Sequence, residues 1–110
     1  MKDFRELLEA DIEEQKYRLY KSVRIGKFDI SIQGSEKHFC TPRLTTNLYE
    51  YSKMEIAICE NGKWISILND KRFNDFNIKI KWDESDRPIA EYVDISAIQA
   101  LCDYIEKNLI

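Results

Sequence analysis

The residues able to do chemistry gather in one stretch, Ile30 to Arg43 (ISIQGSEKHFCTPR). It carries the only histidine, one of three cysteines, one of three glycines and one of two prolines. His38 stands two residues before Cys40. In an extended segment such side chains point to the same side, and an imidazole beside a thiol can activate it as a nucleophile. Asp29 or Glu36 could orient the ring. That would be the chemistry of a small Cys-His hydrolase. The simpler reading is a surface histidine beside a tucked loop cysteine, because catalytic pairs usually meet through the fold. Arg43 follows Pro42 and offers a guanidinium on a stiffened loop. It could grip a carboxylate or phosphate through two parallel hydrogen bonds. The expected role is a clasp within the chain, to Asp29, Glu50 or Glu55.

Other chemistries lack their parts. One histidine with Cys40 and scattered carboxylates supplies no second close pair at ligand spacing, so no metal site is expected. No glycine-rich phosphate loop, GxSxG or HExxH is present. No catalytic set and no cofactor is expected. Tyr49 and Tyr51 would share one side of an extended chain, as interface anchors or as a lid on the core.

A chain of 110 residues suits one domain, 1–110, and 44% hydrophobic residues with 12% aromatic argue for an ordered globule. The net charge of −3 speaks against direct nucleic-acid binding, which needs clustered Lys and Arg. The charge is blocky. Residues 1–14 hold two basic and six acidic side chains, residues 15–27 five basic and no acidic, and residues 83–110 two basic against seven acidic. Blocks of this kind are solvated faces or surfaces that steer a partner. The three cysteines match no zinc or redox spacing and imply a reducing, cytoplasmic compartment. No signal-peptide run and no stretch of about 20 apolar residues occurs, so no membrane association is expected.

Elements must position these residues. Residues 3 to 22 are expected to form a helix, with Asp3 as N-cap, Glu6 three positions later, and apolar Phe4, Leu7, Leu8, Ile12, Leu19, Tyr20 and Val23 near a 3.6 period. Acidic groups first and basic groups last would complement its dipole, and Gly26 would end it. A rival reading makes the end a strand, since Tyr17, Leu19, Val23 and Ile25 alternate. Phe28, Ile30 and Ile32 then predict a half-buried strand, followed by a long loop over 35–51. Asn61-Gly62 predicts a hairpin turn between a strand over 54–59 and one over 63–68, the latter apolar on both faces and expected to be central. Runs over 77–82 and 89–93 could form a second hairpin. Asp94 or Ser96 would cap a final helix with a stripe of Ile98, Leu101, Cys102, Ile105 and Leu109. The expected class is α+β: an N-terminal helix, about five mainly antiparallel strands, and a C-terminal helix on one face.

The pattern of Ser35 and His38, then Pro42 and Arg43, then Tyr51 and the run Glu55 to Ile58 resembles a loose group of small phage and prophage proteins. Anti-CRISPR and other anti-defence inhibitors are found in that group. The likeness covers roughly residues 28 to 60 and carries over no catalytic role.

These readings converge on a non-enzymatic protein-binding inhibitor, phage or mobile-element encoded and directed at a host defence protein such as a CRISPR effector. Its partner would be a basic nucleic-acid-binding protein or nuclease. Acidic residues of the terminal helices, Glu9, Glu13 and Glu14 among them, would act as phosphate surrogates, beside His38, Arg43, Tyr49 and Tyr51. The alternative in the same class is an immunity or antitoxin protein neutralising a basic nuclease. The hydrolase is the enzyme alternative.

Overall fold

Alternation of apolar and polar residues decides the main sheet. The computed structural model describes residues 1–110. In chain order it contains β1 (Ala10–Glu13), β2 (Arg18–Tyr20), β3 (Val23–Ile25), β4 (Phe28–Gln33), β5 (Lys53–Glu60), β6 (Lys63–Trp64), β7 (Ala90–Asp94) and α1 (Ile95–Asn108). β5 is central. On one edge it pairs along its length with β4, and β3 follows β4 by a tight turn. On the other edge β6 covers Cys59 and Glu60 while β7 covers Lys53 to Ile56. Every pairing is antiparallel. α1 packs across the sheet against β3, β5 and β7.

The period-two reading of β4 and β5 holds. Phe28, Ile30, Ile32, Met54, Ile56 and Ile58 are buried toward α1, which buries Ile98, Leu101, Cys102 and Ile105 against them. Each such large side chain removed from water contributes about 1.5–3 kcal/mol, so this facing pair of stripes dominates the fold's stability. Asn61 and Gly62 take φ of 50° and 80°, as a two-residue type I′ turn demands. Gly26 does not end a helix. It takes φ 60° in the two-residue turn between Ile25 and Phe28, where a side chain is strained.

The N-terminal helix is the main correction. Only Phe4–Leu7 coils, as a 3₁₀ turn capped by Asp3, whose carboxylate accepts from the Arg5 N–H. The chain then runs as a β1–β2 hairpin and continues into β3. Two physical reasons explain the difference. Residues 13–16 (EEQK) carry no apolar anchor, so a helix there would bury nothing, and helices of this length depend on a buried face. The acidic-then-basic order also suits a hairpin, which folds the two blocks against each other. Glu13 lies opposite Arg18, and the Lys21 ammonium stands 3.3 Å from the Glu9 carboxylate. Glu9, Glu13 and Glu14 are thus hairpin residues, not helix residues.

Two further expectations change. The 63–68 segment is an edge and not a central strand: β6 is two residues long, Trp64 is exposed, and Ile67–Asn69 turns as a 3₁₀ helix. The 77–82 run forms no hairpin with 89–93 beyond a single Trp82–Ala90 bridge, because β7 pairs with the open edge of β5 instead. Here Ile80 and Trp82 are buried and Ile78 is exposed.

Candidate functional site

The hairpin and the 35–51 loop lean together over one end of β4. The hairpin closes through Glu14 N–H to Tyr17 O (2.7 Å) and Lys21 N–H to Glu9 O (2.9 Å). The Gln33 side chain hooks it to β4: Gln33 accepts from Tyr20 N–H at 2.8 Å and donates to Tyr20 O at 2.8 Å. The buried amide replaces a missing strand partner and satisfies both backbone groups of Tyr20. The loop is pinned as well. Thr41 bridges Lys53, Asn47 caps the 3₁₀ turn Leu48–Glu50, and the Tyr51 hydroxyl accepts from Thr46 N–H and donates to Leu44 O.

Between hairpin and loop lies a groove of about 540 Å³. Its floor includes Arg18, a residue the sequence reading passed over as one member of a basic block. Arg18 keeps 6% of its surface exposed. Its Nη2 donates to Tyr51 Oη at 3.0 Å and Gly34 O at 3.3 Å, and its guanidinium stands 4.7 Å over the Tyr20 ring. The one pattern that could have drawn attention to it is Tyr17-Arg18-Leu19-Tyr20, a cation set between aromatic faces.

Around this residue the expected site partly assembles. Glu13 and Tyr49 line the groove, and Tyr49 is exposed. Tyr51 lies beneath, buried, so it is a clamp on the loop and not a surface anchor. The two tyrosines face differently because the 3₁₀ turn rotates the chain between them. His38 is buried too, 5.6 Å from the Tyr17 ring, and not on the surface. Burial first, and the Arg18 charge second, push its pKa below the ordinary imidazole value. Glu9 and Glu14 point outward on the hairpin, away from the groove's lining. Arg43 is separate: exposed, it donates to Glu36 O at 3.3 Å and stacks 4.9 Å from the Phe39 ring. It clasps the loop as expected, through a carbonyl and a ring and through none of the three carboxylates.

Cys40 and His38 are each committed elsewhere. Ser35–His38 closes as a turn, so the segment is not extended and the two side chains do not pair. The Ser35 hydroxyl accepts from Lys37 N–H and lies 2.7 Å from His38 Nδ1. The arrangement in which Ser35 donates to Nδ1 places the ring proton on Nε2. The Cys40 thiol is buried among the carbonyls of Ser35, His38 and Pro42, and burial raises its pKa. A buried, protonated thiol is a poor nucleophile. No group of three or more His, Cys, Asp and Glu side chains converges to hold a metal ion.

Compared with family models, with curated proteins and with solved structures, the chain finds no match.

The electrostatics divide by side of the hairpin. The β1 edge is acidic and open to solvent: all four residues of β1 are exposed, and Glu9, Asp11, Glu13 and Glu14 line it. Among them only Glu9 has an ion-pair partner, Lys21, with both side chains largely exposed. Beneath the hairpin, the buried charge is the Arg18 cation. No helix is long and apolar enough to cross a membrane.

Proposed function

We propose that this chain is a non-enzymatic binding protein that engages a basic partner through the acidic outer edge of its N-terminal hairpin. The observation that carries this reading is β1 itself, paired with β2 on one side only, exposed at every residue and carrying or bordered by four carboxylates. Charge on an edge prevents self-pairing. The same carboxylates present a row of negative charge on a strand whose backbone groups are open to a partner, a geometry suited to occupying a cationic nucleic-acid groove. The partner this fits is a nuclease or another nucleic-acid-binding protein, and the effect of occupancy is inhibition. The resemblance of residues 28 to 60 to phage and prophage proteins supports a host defence protein such as a CRISPR effector as that target. An immunity or antitoxin role against a basic nuclease would use the same edge, and a toxin gene beside this one would favour it.

The test is capture from a host lysate by the immobilised chain and by a variant with Glu9, Asp11, Glu13 and Glu14 changed to Lys. The expected result is a basic nucleic-acid-binding protein retained by the native chain, displaced by added nucleic acid and lost with the variant. Retention should also fall steeply as ionic strength rises, since screening shortens from about 30 Å at 0.01 M to about 8 Å at 0.15 M. Retention that ignores both salt and the four substitutions would sink the proposal.

A further inference from the structure

Arg18 is anomalous in a way the acidic edge does not explain. A guanidinium is always charged, and burying it without a counter-charge is costly. The arginine ion pairs of this molecule belong to Arg5, Arg24 and Arg72, all at the surface or half-buried. Arg18, the buried arginine, has none. Of its three nitrogens, Nη2 is taken by Gly34 O and Tyr51 Oη. Nε is buried with no acceptor at all, and Nη1 makes no hydrogen bond. The side chain is part of the floor of the groove between hairpin and loop.

The loop side of the groove presents donors. Thr45 Oγ1 accepts from Glu36 N–H, and Asn47 Oδ1 accepts from Tyr49 N–H. Both residues line the groove, and with their acceptor atoms engaged they are left with an O–H and an NH₂ to offer. The remaining lining is mostly apolar or aromatic: Ala10, Tyr20, Leu48 and Tyr49. Against these stands one exposed carboxylate, Glu13, paired in register with Arg18 but outside ion-pair distance. Two further charges border the lining: Arg5 over the Tyr49 ring, already paired with Asp3, and Glu50, whose carboxylate accepts from the lining Thr46. With Arg18 the one cation here that has no ion pair, the groove suits a guest with a single negative charge. A phosphate monoester, close to two charges at neutral pH, would meet Glu13 with its second.

We infer that this groove binds a carboxylate carried on a small apolar body, with Arg18 as counter-ion from below and Thr45 and Asn47 as donors from the loop. The guest supplies an acceptor to Arg18 Nη1, which is not sealed off as Nε is and makes no hydrogen bond within the fold, and its apolar part lies along Tyr20, Leu48 and Tyr49. Glu13 belongs to both features, but Glu9, Asp11 and Glu14 lie outside the groove, so the inference does not rest on the acidic edge. Two sources share this chemistry: a free small carboxylic acid or chain end, and an acidic side chain within a peptide.

The experiment is a titration of the ¹⁵N-labelled full chain followed by amide chemical shifts. N-acetylleucine is expected to move Arg18 and Thr45 to Tyr49 with a Kd of about 1 mM, and N-acetylleucinamide to leave them unmoved. Ac-Ala-Glu-Ala-NH₂ separates the sources: shifts at the same residues assign the side chain as an accepted guest, and their absence restricts the site to free acids and chain ends. Arg18→Met removes the counter-ion, and its chain should unfold cooperatively yet show no shifts. Glu13→Gln, at the exposed rim, keeps the test open even if Arg18→Met does not fold. It should tighten N-acetylleucine about two- to fivefold by removing one exposed like charge. Equal shifts from acid and amide, no shift at about 10 mM acid, tighter binding of inorganic phosphate, or an unchanged affinity in Glu13→Gln would each overturn the inference.

Discussion

His38 shows how a residue that looks reactive becomes structural. Its ring is bonded to Ser35, and burial first and the nearby Arg18 charge second favour the neutral form. The unfolded chain, with an imidazole near 6.5, therefore takes up a proton that the folded chain refuses. By linkage, stability is complete above that value and falls as pH drops through it, until the lowered folded pKa is reached. Glu55, whose carboxyl burial raises, works in the opposite direction at lower pH, and so does not produce this loss. Urea midpoints measured from pH 8 to 5 should decline for the native chain as pH falls through 6.5, and His38→Gln should flatten the first part of that decline. A decline that persists unchanged in the variant would assign it to the surface carboxylates instead.

At the scale of elements, the hairpin is the part most exposed to a single loss. Its attachment to β4 runs through the Gln33 side chain, which satisfies the N–H and C=O of Tyr20 together. Gln33→Leu would keep the volume but leave both backbone groups buried without partners, at a cost of about 1–3 kcal/mol each before relaxation. The expected outcome is fast amide exchange at Tyr20 and through β2, with β4 and β5 still protected. The groove would open with it, because Arg18 rides on the same strand. Global unfolding without a local step would show that the hairpin and the sheet form one cooperative unit. The hairpin was legible only in part. Alternation at Tyr17, Leu19, Val23 and Ile25 points to strand and holds in β3, where Val23 and Ile25 are buried, but in β2 it favours the wrong face: Arg18 and Tyr20 are the buried pair, and Tyr17 and Leu19 are half-buried. A cation beside two tyrosine rings can be buried where a bare pattern of apolar residues would place it in water.

At the scale of the whole molecule, the three thiols report three depths. Cys102 is sealed between α1 and the sheet, and burial pushes its pKa up to about 12. Cys40 is covered by its own loop, and Cys59 is half-buried on β5. Labelling with a thiol reagent under native conditions should therefore run Cys59 first, Cys40 next through opening of the loop, and Cys102 last. Only the Cys102 rate should track global stability in low denaturant. Cys102 reacting as fast as Cys40 would contradict a core sealed at α1.

The sequence by itself determined the parts whose physics is local: the alternation that buries β4 and β5, the Asn61-Gly62 turn that needs two positive φ values, and the apolar stripe of α1. These follow from side-chain period and backbone sterics within a few residues. Only the tertiary structure decided that the acidic and basic blocks fold against each other as a hairpin, that 63–68 pairs with β5 through Lys63 and Trp64 alone while β7 takes the Lys53–Ile56 end of that edge, and that His38, Tyr51 and Arg18 lie buried together. Those outcomes depend on which distant segment supplies the missing hydrogen bonds and apolar cover. Arg18 gains its meaning from Gly34, Tyr51 and Thr45, residues 16 or more positions away that no pattern along the chain connects to it.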